Sequence, residues 1–383
     1  MIIDYLIRAS GKDLPLDKEA LTLPFRITPT QSHPFLLLGD YFQSIEAFIL
    51  ENIDLLLEIA GKLCDTTITR TDIEKIMIRA QKHGAFHHVA EIELASRNGR
   101  AKFALAAFLS SNRRWFDREY RNLKLLEKRA KQLQLLPELY FRGQHTIKRA
   151  GGGTETFLFL AMEWLEGFHE WHFREHAAAP EDSIVIWDQD CGHRLAHREQ
   201  AQEIFRQVGF ILTIFYDPEN FFRVARWQHA AGDFVVNTDH GHTKLKLTTV
   251  RHYGPIVDLE VDNVPDPLMP LTFFFLELAT LARLDRQEGV GKCLWCGNWC
   301  LQPLATGIFE ALQLKAEHGE FLHRRPLEFL ALLKSFSLGE LSALLEYTIS
   351  SLDYLDSETV GLLSTNWREN AKDLWQVIQR FQI

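Results

Sequence analysis

The sequence predicts an α+β fold, and three observations lead to it. Phe42 to Leu63 and nearly all of the chain after Pro270 carry apolar residues at helical spacing. Between residues 85 and 109 the period changes to two, around Arg97-Asn98-Gly99-Arg100. Asn-Gly between alternating apolar runs is a strong hairpin signal. The composition is 46% hydrophobic and 24% charged over 383 residues, which is globular and long enough for two or three cores.

The elements follow in order. Residues 1–41 mix short apolar runs with Pro15, Pro24, Pro29 and Pro34. Prolines at that density interrupt helices and central strands, so an irregular or short-stranded leader is expected. Ile45, Phe48, Ile49, Ile53, Leu56, Leu57 and Ala60 make 42–63 a helix. Thr71-Asp72-Ile73-Glu74 is expected to open a second, shorter one. Residues 85–96 and 101–109 form the hairpin, and Asn112 to Leu135 returns to helix with Phe116, Leu123, Leu126 and Leu133 on one side. Leu139 to Arg142 and Thr156 to Glu163 are a strand pair, with Gly151-Gly152-Gly153 as the turn between them. Ser183 to Trp187 is a short buried strand and Glu199 to Tyr216 an apolar helix. Asp233 to Val236 and Lys244 to Val250 make a second hairpin. Ser337-Leu338-Gly339-Glu340 is a capping box, and Pro326 suits a first helical turn. There is no internal repeat.

A net charge of −9 argues against a nucleic-acid or anionic-membrane surface. The basic run Arg121 to Lys131 is interleaved with Leu and Glu, as on a solvated helix face. The longest apolar run, 267–282, is too short for a membrane span and contains Glu277. Asp4 stands where a signal peptide wants a basic residue. Five cysteines do not suggest a disulfide framework, so a reducing cytoplasm is expected.

The order hairpin, helix, two strands, linker, helix, loop, hairpin, then helices resembles the protein-kinase-like fold and its aminoglycoside-phosphotransferase-like branch. The resemblance covers about residues 76–260. It implies a two-lobed body with a leader and helix at 1–75, a small lobe at 76–166 and a large lobe at 167–383, mostly helical after 270.

It also implies site positions. The phosphate-covering hairpin would lie at Lys82 to Ala90, which has the single glycine Gly84. Phe103-Ala104-Leu105-Ala106 is similar to the V-A-I-K strand, with Ala106 in place of the lysine. Lys102, four residues earlier, shares that facing in an unbroken strand and could substitute, or could simply decorate the hairpin start. Glu119, in Trp115 to Leu126, is the candidate for the lysine's glutamate partner, or a solvated residue at the stripe's edge. Met162-Glu163-Trp164-Leu165-Glu166-Gly167 is similar to the hinge, where the backbone around Glu163 and Trp164 would meet an adenine ring.

Trp227 to Asn237, followed by Lys244 to Arg251, has the rhythm of the catalytic loop and metal-binding strand. Gly232-Asp233 stands where the family has Gly-Asn, so Asp233 would be a magnesium ligand. Gln228, with His229 beside it, occupies the catalytic aspartate's place. Glutamine can orient a nucleophile but cannot take its proton at neutral pH. A register that makes Asp233 the catalytic aspartate starts the following β-run too soon. Thr248 or Thr249 replaces the D-F-G aspartate, and Asp258 is the nearest later acid.

Lysine, base and D-F-G aspartate are all absent from their places. Positioning and charge neutralisation are nearly the whole of this catalysis. The expectation is therefore a degenerate, pseudokinase-like protein acting by binding a nucleotide (ATP with magnesium) or a protein partner. A divergent phosphotransferase is the alternative.

Two other constellations offer a third class, a metal-dependent enzyme. His229 and Asp233 lie at the base of a hairpin whose tip holds His240 and His242, and strand length separates the two pairs. Cys293, Cys296 and Cys300 have a spacing that can ligate zinc or an iron–sulfur cluster, but a fourth ligand is missing. Buried, reduced cysteines beside Trp295 and Trp299 are the favoured reading. No nucleophile elbow, P-loop or dinucleotide fingerprint is present.

Overall fold

The computed structural model describes residues 2–9, 12–28, 31–83, 87–148, 153–175, 183–188, 191–257, 266–289, 291–320 and 325–383. The fold is α+β. The chain forms two compact units: Met1–Lys124 with Pro137–Glu166 and Gln189–Gly192, and Leu125–Leu136 with Gly167–Asp188 and His193–Ile383. No helix among the described residues is long and apolar enough to cross a membrane.

The first unit contains β1 (Ile2–Ala9), β2 (Lys12–Pro15), β3 (Pro24–Thr28), β4 (Gln31–Leu37), α1 (Leu38–Glu51), α2 (Ile53–Leu63), β5 (Ile73–His83), β6 (His88–Ser96) and β7 (Gly99–Leu109). Then come α3 (Arg113–Arg129), whose last turn belongs to the second unit, β8 (Leu139–Lys148) and β9 (Thr154–Glu163). Seven strands form one sheet in the order β2-β1-β5-β6-β7-β9-β8, while β3 and β4 pair apart from it. The hairpin, helix and strand pair follow in the expected order.

Side chains alternate across a sheet, so each strand serves two faces. Ile76, Ile78, Ile92, Leu94, Phe103, Leu105, Phe157 and Phe159 share one core with Phe42, Ile45 and Phe48 of α1 and Leu56 and Leu57 of α2. On the opposite face Phe108 meets Phe116 of α3 edge-on at 5.5 Å. Burial of side chains this large contributes about 1.5–3 kcal/mol each.

Two expectations are corrected here. No helix opens at Thr71. Asp72 accepts bonds from the Thr69 backbone N–H (2.8 Å) and hydroxyl (2.6 Å), closing a 3-10 turn over Arg70–Asp72. The residues after it alternate and become β5. The leader is also more regular than its prolines suggest. β1 runs parallel to β5, with Ile3 opposite Ile76 and Tyr5 opposite Ile78. Pro15 ends edge strand β2 and Pro24 begins β3, where a missing N–H is tolerated. Gly84, Gly151, Gly152 and Asp258 lie outside the described residues.

The second unit contains β10 (His169–Phe173), β11 (Ile184–Trp187), β12 (Arg194–Leu195), α4 (Arg198–Ile214), β13 (Phe222–Ala225), β14 (Phe234–Asn237), β15 (Lys244–Leu247) and β16 (His252–Pro255). They are followed by α5 (Leu268–Leu281), β17 (Leu284–Arg286), β18 (Cys293–Trp295), α6 (Leu301–Glu317), α7 (Arg325–Ser335), α8 (Leu338–Ser350) and α9 (Ser357–Arg380). Its main sheet has the order β12-β11-β10-β14-β15. The edge strand β15 is closed off: the Gln207 side chain accepts from the Leu245 N–H at 2.7 Å, and the Leu135 carbonyl accepts from the Leu247 N–H at 3.0 Å. α4 and α6 approach closely through glycines. A Cβ on Gly307 would lie 1.7 Å from the Arg206 carbonyl oxygen, and one on Gly209 2.3 Å from that of Leu304. The expected capping box starts α8, with Ser337 and Glu340 bonded reciprocally.

Candidate functional site

The loop that carries the resemblance lies between β13 and β14. His229–Ala231 form a 3-10 turn ended by Gly232, whose φ of 66° is the left-handed conformation glycine favours. That turn points Asp233 back into the loop. Its Oδ2 accepts from the Gln228 backbone N–H at 2.8 Å. The Arg251 guanidinium donates to both oxygens, Nη1 to Oδ2 at 2.6 Å and Nη2 to Oδ1 at 2.5 Å. Asp233 is 1% exposed. The carboxylate expected to hold magnesium is thus occupied by a two-pronged ion pair and a backbone donor.

Thr248, which with Thr249 is one of two residues expected at the D-F-G aspartate's place, donates its hydroxyl to the Gly232 carbonyl at 3.0 Å. It also donates its backbone N–H to the Asp233 carbonyl at 2.7 Å. It braces the loop's backbone. The Gln228 side chain is exposed.

His229 turns inward. Its ring lies 4.4 Å from Trp171, 5.3 Å from Trp227 and 5.5 Å from Phe173. Nε2 donates to the Ala282 carbonyl at 3.1 Å, so the ring is the neutral Nε2–H tautomer. Burial lowers its pKa to about 4. A neutral histidine enclosed by aromatic rings is a core group, not an exposed base.

A second histidine, His172 on β10, has the opposite electrostatics. Its Nδ1 lies 3.4 Å from Asp285, whose carboxylate also accepts from the backbone N–H groups of Phe173 and Arg286. Nε2 is 3.8 Å from Glu170, an ion pair without a formed hydrogen bond. Burial works to lower its pKa, but Asp285 and Glu170 outweigh burial and hold it up to about 9.

In the first unit, Lys102 is on β7 and Ala106 is buried on the same strand. Lys102 Nζ bonds Glu166 at 2.7 Å and lies 3.7 Å from Glu91. Glu91 is 1% exposed and also takes Arg79 at 2.9 Å, while Arg79 reaches Glu93 at 2.7 Å. Burial raises the Glu91 pKa against the pull of Arg79, Lys102 and Arg8. Glu119 on α3 is buried.

Lys102, Glu163, Trp164 and Glu166 line one open groove of about 480 Å³ with Tyr140 and Arg100. Within it the Glu163 N–H donates to the Glu138 carbonyl at 2.8 Å, and Trp164 Nε1 donates to Glu166 at 3.0 Å. The backbone donor that an adenine would use at Glu163 is already bonded. The groove's cations are likewise engaged: Lys102 by Glu166, and Arg100 by Glu93 at 3.4 Å.

Among the described residues no group of three or more His, Cys, Asp or Glu is arranged to hold a metal ion. Cys293 Sγ faces the Thr359 hydroxyl at 3.7 Å, and Cys300 Sγ donates to the Gly297 carbonyl at 3.2 Å. Cys296 is buried next to Cys300, and burial pushes its thiol well above the usual range. Cys296 and Cys300 are buried, as small hydrophobes are, while Cys293 is part-buried. His242 is exposed beyond the Asp239–Gly241 turn, whereas His229 is buried.

Sequence reasoning missed Arg251, Asp285, His172 and the Arg79–Glu91–Glu93 group. One signal was available for the last: Glu91 and Glu93 sit inside an apolar alternating run, where carboxylates must be paired.

No protein-family model matches this sequence. No curated protein matches it either. Among solved structures, the crystal structure of a kinase domain aligns over 82% of this chain and 87% of its own, with 9% identity and a TM-score of 0.29. This is a distant likeness to a kinase domain, and at that score it carries no argument about chemistry.

Proposed function

We propose that this chain is a kinase-like protein with a degenerate active site, with lobes at 76–166 and 167–383, acting by binding rather than by phosphoryl transfer. The observation that carries this reading is the state of Asp233. It is the one acid in the loop suited to magnesium, and Arg251 and the Gln228 N–H already satisfy it. Ala106 cannot neutralise phosphate charge, and Gln228 cannot accept a proton at neutral pH. The groove beside Lys102 is the place where a nucleotide would bind. Its paired cations support loose binding at most, so a protein partner is the stronger form of the reading.

The test is thermal denaturation of the full chain with ATP, with and without magnesium, alongside phosphate release. The expected result is no turnover and no magnesium-dependent shift. A magnesium-dependent rise in Tm that disappears in Lys102→Ala, together with ATP turnover, would overturn the proposal in favour of a divergent phosphotransferase.

A further inference from the structure

β8 is the last strand of the seven-stranded sheet, and no described strand pairs with its outer side. It is ten residues long and its exposure alternates regularly from Arg142 to Lys148. Such an edge presents a row of backbone donors and acceptors. A helix lies along one side of it. Arg113 of α3 donates to Gln144 at 3.0 Å, Arg142 donates to Asp117 at 3.2 Å, and the Arg142 guanidinium covers the Tyr120 ring at 4.2 Å. Within the first unit this helix exposes Arg113, Arg114, Arg121 and Lys124. A basic helix therefore flanks an open sheet edge in a chain whose net charge is −9.

We infer that this edge receives an extended acidic segment of a partner protein. The segment adds as an eighth strand beside β8. Its main chain bonds the edge, and every second side chain faces α3. Carboxylates at those alternate positions meet Arg113, Lys124 and Arg142.

Charge selects this occupant. A second copy of the chain paired through the same edge would bring two basic helices together, which is destabilising for like charges. Nucleic acid has no extended polypeptide main chain to pair with the donors and acceptors of an open β-edge, so the edge favours a peptide over it. Tyr140 of β8 lines the groove beside Lys102, but Arg113, Lys124 and Arg142 do not, so the ATP experiment and the one below test different residues.

The test uses fluorescence anisotropy with the full chain and a labelled octapeptide of alternating Glu and Thr. Saturable binding that weakens as salt rises is expected, with none for the Lys-Thr peptide. The exposed double substitution Arg113→Glu, Lys124→Glu is expected to weaken binding by about tenfold or more through lost charge complementarity, with an unchanged Tm. A central Thr→Pro change in the peptide is expected to weaken it too, because proline removes a ladder donor. Three results would each overturn the inference: no saturable binding to the wild-type chain, equal binding of the proline peptide, or tighter binding of a single-stranded oligonucleotide than of the acidic peptide. Salt-independent binding by the wild-type chain would also exclude it, whatever the variant does.

Discussion

Asp233 and Arg251 are 18 residues apart and meet in a two-pronged ion pair at 2.6 and 2.5 Å. The pair ties the loop before β14 to the segment after β15. Removing one partner of a buried pair leaves an uncompensated charge and costs about 3–5 kcal/mol. Asp233→Asn and Arg251→Met are each expected to lose stability of that order in urea denaturation. The double variant should lose less than the sum, because the two act as one unit. Magnesium should leave the wild-type midpoint unchanged. A magnesium-induced rise that is absent in Asp233→Asn would show that the carboxylate can leave Arg251 for a metal.

The two buried histidines give stability opposite pH limbs. His172 has a folded pKa of about 9, above the ordinary value of 6.5. Its contribution is full below pH 6.5 and is lost as pH rises towards 9. His229 has a folded pKa of about 4. Its neutral form is favoured in the fold, so its contribution is full above pH 6.5 and is lost as pH falls towards 4. Together these residues favour the fold most near pH 6.5. Urea midpoints of His172→Gln should lose the decline between pH 6.5 and 9 that the wild type shows. An unchanged alkaline limb in that variant would mean that His172 is not charged in the fold.

Glycine at two helical positions has opposite consequences. Gly307 on α6 sits where a Cβ would come within 1.7 Å of backbone, the Arg206 carbonyl oxygen. Gly307→Ala must push α4 and α6 apart and is expected to cost about 3 kcal/mol or more, the upper end for overpacking. Gly361 on α9 is exposed, with nothing within 4 Å of its added Cβ. Gly361→Ala is expected to stabilise by about 0.5–1 kcal/mol through helix propensity alone. Thermal melts of the two variants should move in opposite directions.

Elements with a strong period were legible in the sequence, and tertiary partnerships were not. The stripe of Phe116, Leu123 and Leu126 marks α3 because burial imposes the helical repeat on the sequence. Asn98-Gly99 marks the β6–β7 hairpin because the turn demands those residue types. Thr71 misled, because a capping interaction at Thr69 and Asp72 closes a single turn as well as it starts a helix. Asp233 was legible as an acid next to a glycine. What Asp233 does depends on Arg251, and nothing local in the sequence marks an arginine 18 residues away as its partner. The same holds for His172 and Asp285, 113 residues apart.

The charges around Lys102 differ sharply in what they contribute. Lys102 is half-exposed, and its nearest partner, Glu166, is well exposed. An exposed ion pair contributes about 0–1 kcal/mol. Arg79 is buried between Glu91 and Glu93, with Asp13 on its Nε at 2.9 Å. Arg79→Met leaves two buried carboxylates short of their principal cation, and burial already raises the pKa of Glu91. Lys102→Met is therefore expected to change the urea midpoint little, while Arg79→Met costs about 3–5 kcal/mol at neutral pH. The Arg79→Met loss should shrink as pH falls and Glu91, whose pKa burial raises, takes up a proton, since a neutral carboxylic acid no longer needs the cation. A loss that stays constant down to pH 4 would assign the cost to packing of the arginine stem instead. A large loss for Lys102→Met would show that Lys102 has a structural role, and activity changes in that variant could not then be attributed to a lost phosphate contact.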